Sequence, residues 1–196
     1  PWTAVRAPEL AERDGANIRP RRTVSLFDGK STEGWRQIVP EAPGWYVEGG
    51  LLKNRTKASD IASLQKFWNF EVRVEYRYAK GSNSGIGLRG RYEVQIADNY
   101  GQPPDAHGNG ALYSRIVPSV NASKAPDEWQ VLNIRLIGRE LTVTLNGTVI
   151  INHKQIEGPT AITTDPNEDK PGPLVLQGDH GPIEFRSIEV TELSGR

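Results

Sequence analysis

The sequence predicts a single all-β domain, a two-sheet antiparallel β-sandwich of jelly-roll type. Three observations predict it. Phe70–Tyr78 (FEVRVEYRY) and residues 91–97 (RYEVQIA) alternate apolar and polar side chains with strict period two, so each strand has one core face and one polar face. Asn146 and Gly147 separate LTVTL from TVII; Asn-Gly between strand runs is the strongest short hairpin signal, because both residues tolerate positive φ. The 20 Gly and 14 Pro break the chain into short pieces with no long helical periodicity. A length of 196 residues suits one such domain.

Residues 1–22 are charged, Pro-bounded and weakly patterned. They read as an extension lying over the sandwich, with a short helical turn around residues 9–13 and Trp2 as an anchor. The domain proper is expected over 23–196. In Phe70–Tyr78, Phe70, Val72, Val74 and Tyr76 face inward, and Glu71, Arg73, Glu75 and Arg77 outward. In 91–97, Tyr92, Val94 and Ile96 face inward, and Arg91, Glu93 and Gln95 outward. Gln130–Ile137 buries Leu132, Ile134 and Leu136, and Gly138–Arg139 turns the chain into 141–145 and the Asn146–Gly147 hairpin. Strands at 173–177 and 183–191 close the chain. Phe185 and Ile188 differ in parity, which predicts a bulge near Arg186 and Ser187. Residues 98–128 and 153–172 read as long loops of the kind that commonly carry function.

Formal net charge is zero, which argues against a nucleic-acid binder. No apolar run is long enough for a membrane-spanning helix. There is no Cys, so disulfides and thiol catalysis are excluded, and no Met, which fits a processed or trimmed chain.

Glu75 and Arg77 share one side of their strand, as do Glu93 and Gln95. If the two strands lie in one sheet, the four groups make one polar floor. His180, in GDHG, has the side chain suited to proton transfer near neutrality, between glycines that admit close approach. The three His residues have no metal-ligand spacing. The acidic run 165–169 offers oxygen ligands for Ca²⁺ or reads as a solvated loop.

LFDGKSTEGW (26–35), WYVEGGLL (45–52), NFEVRVEYRY (69–78), NSGIGLRGRYEVQIADNYG (83–101), GALY (110–113), LNG (145–147) and LQGDHGPIEFRSI (176–188) stand in an order and spacing that resembles the 3-keto-disaccharide hydrolase domain family over roughly residues 24–192. The resemblance implies a concanavalin A/glucanase-like fold and an exported protein, periplasmic or extracellular. It also implies action on glycosides already oxidised to a ketone at sugar carbon 3. Ser187, Gln130 and Ser114 depart from the family pattern, where Asn, Asn and Gly are usual.

Related glucanases use paired carboxylates. Here Glu93 and Asp98 are five residues apart, so unless a bulge intervenes they face opposite sides about 16 Å apart along a strand, against roughly 5–9.5 Å in a glycosidase pair, which leaves a direct two-carboxylate glycosidase as the weaker alternative. Elimination from a 3-keto-glycoside needs only one base, one group polarising the ketone and sugar-orienting hydrogen bonds. The expected set is His180 or Glu93 as base, and Arg77, Arg186 or a divalent cation at the ketone. Gln95, Asn83 and Gln177 would orient the sugar, with Glu75 in the floor and Asp98 on the rim. Tyr100, Tyr113 and Trp129 could stack on a ring, although Trp129 reads better as core. The competing class is a carbohydrate-binding module or a structural subunit, with the extension and long loops as surfaces for a protein partner.

Overall fold

The computed structural model describes residues 10 and 12–194. It has thirteen strands: β1 (Pro20–Phe27), β2 (Trp35–Gln37), β3 (Trp45–Glu48), β4 (Leu51–Asn54), β5 (Ile61–Phe67), β6 (Phe70–Tyr78), β7 (Asn83–Leu88), β8 (Tyr92–Ala97), β9 (Gln130–Ile137), β10 (Glu140–Leu145), β11 (Thr148–Gln155), β12 (Gly172–Leu176) and β13 (Ile183–Leu193). One sheet runs β11-β10-β9-β6-β13-β4-β3, with β1 also paired to β13, and the second runs β2-β5-β12-β7-β8. Every pairing is antiparallel. Among the described residues there is no helix, and none long and apolar enough to cross a membrane.

The alternation places the core as expected. Val72, Val74 and Tyr76 from β6, Val94 and Ile96 from β8, Leu132 and Ile134 from β9 and Phe185 and Ile188 from β13 are buried in one cluster between the sheets. Each such aliphatic side chain contributes roughly 1.5–3 kcal/mol on leaving water. Asn146 and Gly147 have φ of 50° and 83°, the two positive values of a type I′ turn. The register of β13 on β6 slips between Phe185 and Ser187, so the expected bulge is present, with Arg186 as its extra residue.

The first strand begins at Pro20, ahead of Thr23. Before it, Asp14 accepts two hydrogen bonds from Arg135 of β9 at 2.6 and 2.7 Å, and Glu12 accepts one from Trp68 at 3.1 Å. This part of the extension therefore lies against the sandwich. Glu12 and Arg13 are not helical; Glu9 and the Trp2 anchor lie outside the described residues.

Both long loops are tied down. Loop 98–129 lies along the free edge of β8: Gln95 N–H donates to Ala111, Gly110 N–H to Gln95 and Tyr113 N–H to Glu93. That covers an edge that would otherwise invite pairing. The loop 156–171 is held by Arg91, fully buried, which donates to the carbonyls of Asp165 and Lys170 and pairs with the Asp165 carboxylate at 3.3 Å. Glu168 accepts from Tyr92 at 2.7 Å and pairs with Arg139 at 2.9 Å. The acidic run is thus not simply solvated, because two of its carboxylates, Asp165 and Glu168, are bound to arginines.

Candidate active site

The outer face of the five-stranded sheet carries a cleft of about 260 Å³ lined by Asp60, Asn83, Glu93, Gln95, Tyr113, Ala161, Ile162, Gln177, Asp179 and His180. Glu93 and Gln95 project from β8 opposite the core residues Tyr92, Val94 and Ile96, as period two requires. Asn83 opens β7. Gln177 and His180 follow β12, and Asp60 precedes β5.

Glu93 is only 2% exposed. It lies over β7, where Gly85 and Gly87 pair with Gln95 and Glu93. A Cβ built on Gly85 would stand 2.6 Å from Glu93 Oε1, so glycine there is a space requirement of the carboxyl group. Glu93 N–H donates to Thr160 Oγ1 at 2.8 Å and its carbonyl accepts from Tyr113, so both long loops fix its backbone. Turned to satisfy its surroundings, the Gln95 amide donates to the Ser84 carbonyl at 3.0 Å and to Glu93 Oε1 at 3.2 Å. Among the described residues no Lys or Arg pairs with Glu93. Burial pushes its carboxyl up to about 7; His180 pulls it back, while Asp60 and Asp179 add to the rise.

Burial also raises Asp60, against the Gly178 N–H that donates to its Oδ1 at 2.9 Å. Asp60 is the acidic member that sequence reasoning missed. An Asp between a turn and a strand reads as ordinary turn chemistry, and nothing local marks it as facing Glu93. His180, about half exposed, sits at the cleft mouth bonded to Asp179. Gln177 Oε1 is buried without a protein partner. The Tyr113 ring packs 4.8 Å from His107, whose Nε2 meets Ser114 Oγ at 2.8 Å. Ser114 has φ of 57°, which explains why glycine is usual there and what holds a serine instead.

The expected four-residue floor does not form. β6 and β8 belong to different sheets, and the outer faces of a sandwich point away from each other. Glu75 is bound by Arg73 and Arg186, and Arg77 by Glu184. Arg77 and Arg186 also lie over the Trp129 ring, 5.0 and 4.5 Å from its centre, so Trp129 is half-buried under guanidinium groups and not core. Glu75, Arg77 and Arg186 are therefore no part of this cleft, and neither arginine can polarise a ketone within it. Asp98 and Tyr100 lie beyond the end of β8, in a separate depression. The structure brings together Glu93, Gln95, Asn83, Tyr113, Gln177 and His180.

Among the described residues, metal-ligand atoms of three side chains converge within 4.8 Å only at Asp14, Glu140 and His153, on the other sheet. Asp60, Glu93, Asp179 and His180 supply suitable donor types but do not converge, so the cleft shows no preformed cation site.

A sandwich of this topology with buried carboxyl groups in a polar cleft defines a glycosyl-hydrolase-like domain. The comparisons agree. Over 98% of this chain and 94% of its own, a Parabacteroides distasonis protein provisionally described as a glycosyl hydrolase superposes with a TM-score of 0.72 at 29% identity. A non-specific endo-β-1,3(4)-glucanase of family GH16 shares the fold alone, with a TM-score of 0.58 at 10% identity over 96% of this chain and 95% of its own. The chain belongs to the 3-keto-alpha-glucoside-1,2-lyase-like domain family, whose model matches residues 22–191. A 3-keto-disaccharide hydrolase of Bacteroides thetaiotaomicron is 34% identical over 76 residues, 32% of this chain; the match spans 26% of that relative's length.

Proposed function

We propose that the cleft cleaves 3-keto-glycosides by elimination, with Glu93 as the base. A ketone at carbon 3 acidifies the hydrogen on carbon 2. Glu93 removes that proton, the carbon 2 electron pair delocalises into the ketone as an enolate, and collapse of the enolate expels the aglycone oxygen from carbon 1. Asp60, whose protonated form burial favours, is positioned in the same cleft to protonate the leaving oxygen. Water then adds at carbon 1 and the proton returns to carbon 2, so the net change is hydrolysis. The side-chain amides of Gln177 and Asn83 and the ring of His180 supply hydrogen bonds for the ketone and hydroxyl oxygens. Tyr113 offers a ring face to the sugar.

One observation carries the reading: Glu93 is buried without a cationic partner, and its pKa of about 7 suits a base working near neutral pH. The family model and the Bacteroides relative's name support the substrate class. A purely binding cleft would be lined mainly by aromatic rings, whereas among the described residues Tyr113 is the single aromatic side chain lining this one. The test is turnover of 3-keto-glucosides, followed by aglycone release with and without EDTA. Glu93→Gln is expected to lower kcat by about 10²–10⁴-fold, and His180→Ala to lower turnover by a smaller factor. Near-normal rates in both variants would sink the assignment.

A further inference from the structure

Tyr100 is 54% exposed, although a large ring normally finds cover. It borders a depression of about 390 Å³ with Lys80, Asp98, Asn99, Gln102 and Pro126. The turn that carries it is rigidly held. Gln102 N–H donates to the Asn99 carbonyl at 3.0 Å, and Asn121 Nδ2 donates to the carbonyls of Asn99 and Gln102 at 2.7 and 3.0 Å. Asp98 Oδ2 accepts from Gly81 N–H at 2.8 Å, which fixes this carboxylate at the rim. Among the described residues neither Lys80 nor Asp98 has an ion-pair partner. A fixed, uncovered aromatic face ringed by hydrogen-bonding groups is the chemistry that receives a sugar ring: the ring carbons stack and the hydroxyls reach the rim.

The depression is separate from the cleft but is reached from it along one strand. β8 carries Glu93 and Gln95, ends at Ala97, and leads directly into Asp98 and Tyr100. Five residues separate Gln95 from Tyr100, at most about 18 Å of chain. A glycan chain of several rings can cover even that upper limit.

We infer that the Tyr100 depression is a distal sugar subsite, and that the preferred ligand is a glycan chain of several units running from the Glu93 cleft to Tyr100. This deepens the proposed function and rests on its sugar-binding cleft, but not on its chemistry. The test is calorimetric titration with unoxidised gluco-oligosaccharides of two and six units in α-1,4, β-1,3 and β-1,4 linkage, on the wild type, Tyr100→Ala, Tyr100→Phe and Glu93→Gln. In at least one linkage the six-unit chain is expected to bind about tenfold tighter than the two-unit one. Tyr100→Ala should erase that gain and Tyr100→Phe should keep it. If no linkage shows a Tyr100-dependent gain, the subsite is refuted whatever the turnover. If the gain persists while Glu93→Gln turns over normally, the subsite stands and the elimination chemistry falls.

Discussion

The two outer faces of the sandwich present the same residue types in opposite electrostatic states. On the eight-stranded sheet, burial alone would raise Glu75 and Glu184. Hydrogen bonds from Arg186 and Arg73 outweigh it at Glu75, and those from Arg77 and Lys53 at Glu184, so both end below the usual carboxylate range. On the five-stranded sheet, burial acts on Glu93 and Asp60 with no arginine to oppose it, and both are raised. A carboxylate bound to guanidinium groups holds a surface together; one buried without a cation is left ready to exchange a proton.

The difference is broken most directly by removing one charge from each face. Glu93→Gln is expected to abolish most turnover of a 3-keto-glucoside, while Glu75→Gln leaves kcat within about twofold, well under the factor for a group that transfers a proton. Equal losses in both would erase the distinction. The next largest effect is expected at a residue with no functional group. Gly85→Ala puts a Cβ 2.6 Å from Glu93 Oε1, so the carboxyl must move, and kcat should fall about 10²-fold, the penalty of a displaced catalytic group. The rate profile should follow the Glu93 proton. A base works ionised, so kcat/KM should rise as pH passes through about 7, and that limb should vanish in Glu93→Gln.

How much of this was legible in the sequence depends on what each pattern encodes. Period two assigns a face, so the inward set of β6, β8, β9 and β13 followed from it, as did the hairpin at Asn146 and the bulge at Arg186. It does not assign a sheet. Between β6 and β8 the chain crosses from one sheet to the other at the 79–82 turn, where Ser82 N–H donates to Ala79. No residue there distinguishes a crossing turn from an ordinary hairpin. Glu75 and Glu93 therefore looked equivalent until the topology separated them. Asp60 was hidden for a related reason, since its meaning comes from strands more than twenty residues away. Gly85 and Gly87 were the overlooked signal: two glycines on the outward side of a strand leave room for something across it, and that something is the Glu93 carboxyl.

The smallest expected effects are in stability, and they should differ in sign between the faces. Glu93 binds its proton more tightly folded, at about 7, than unfolded, at its ordinary 4.5. Its contribution is fully present below about pH 4.5 and is lost as pH rises through 7. Relative to wild type, Glu93→Gln should therefore gain on the order of 2–3 kcal/mol between pH 4 and pH 8. Glu75 is lowered, so its contribution is present above its unfolded pKa and lost as pH falls. Its arginine partners are substantially exposed, which limits the pair energies to about 1 kcal/mol or less. Glu75→Gln should thus be slightly destabilised at pH 7 and converge on wild type in acid. Urea midpoints of both variants at pH 4, 6 and 8 measure this. Parallel curves for the two would mean that Glu93 has a cationic partner in solution, and the base assignment would lose its electrostatic ground.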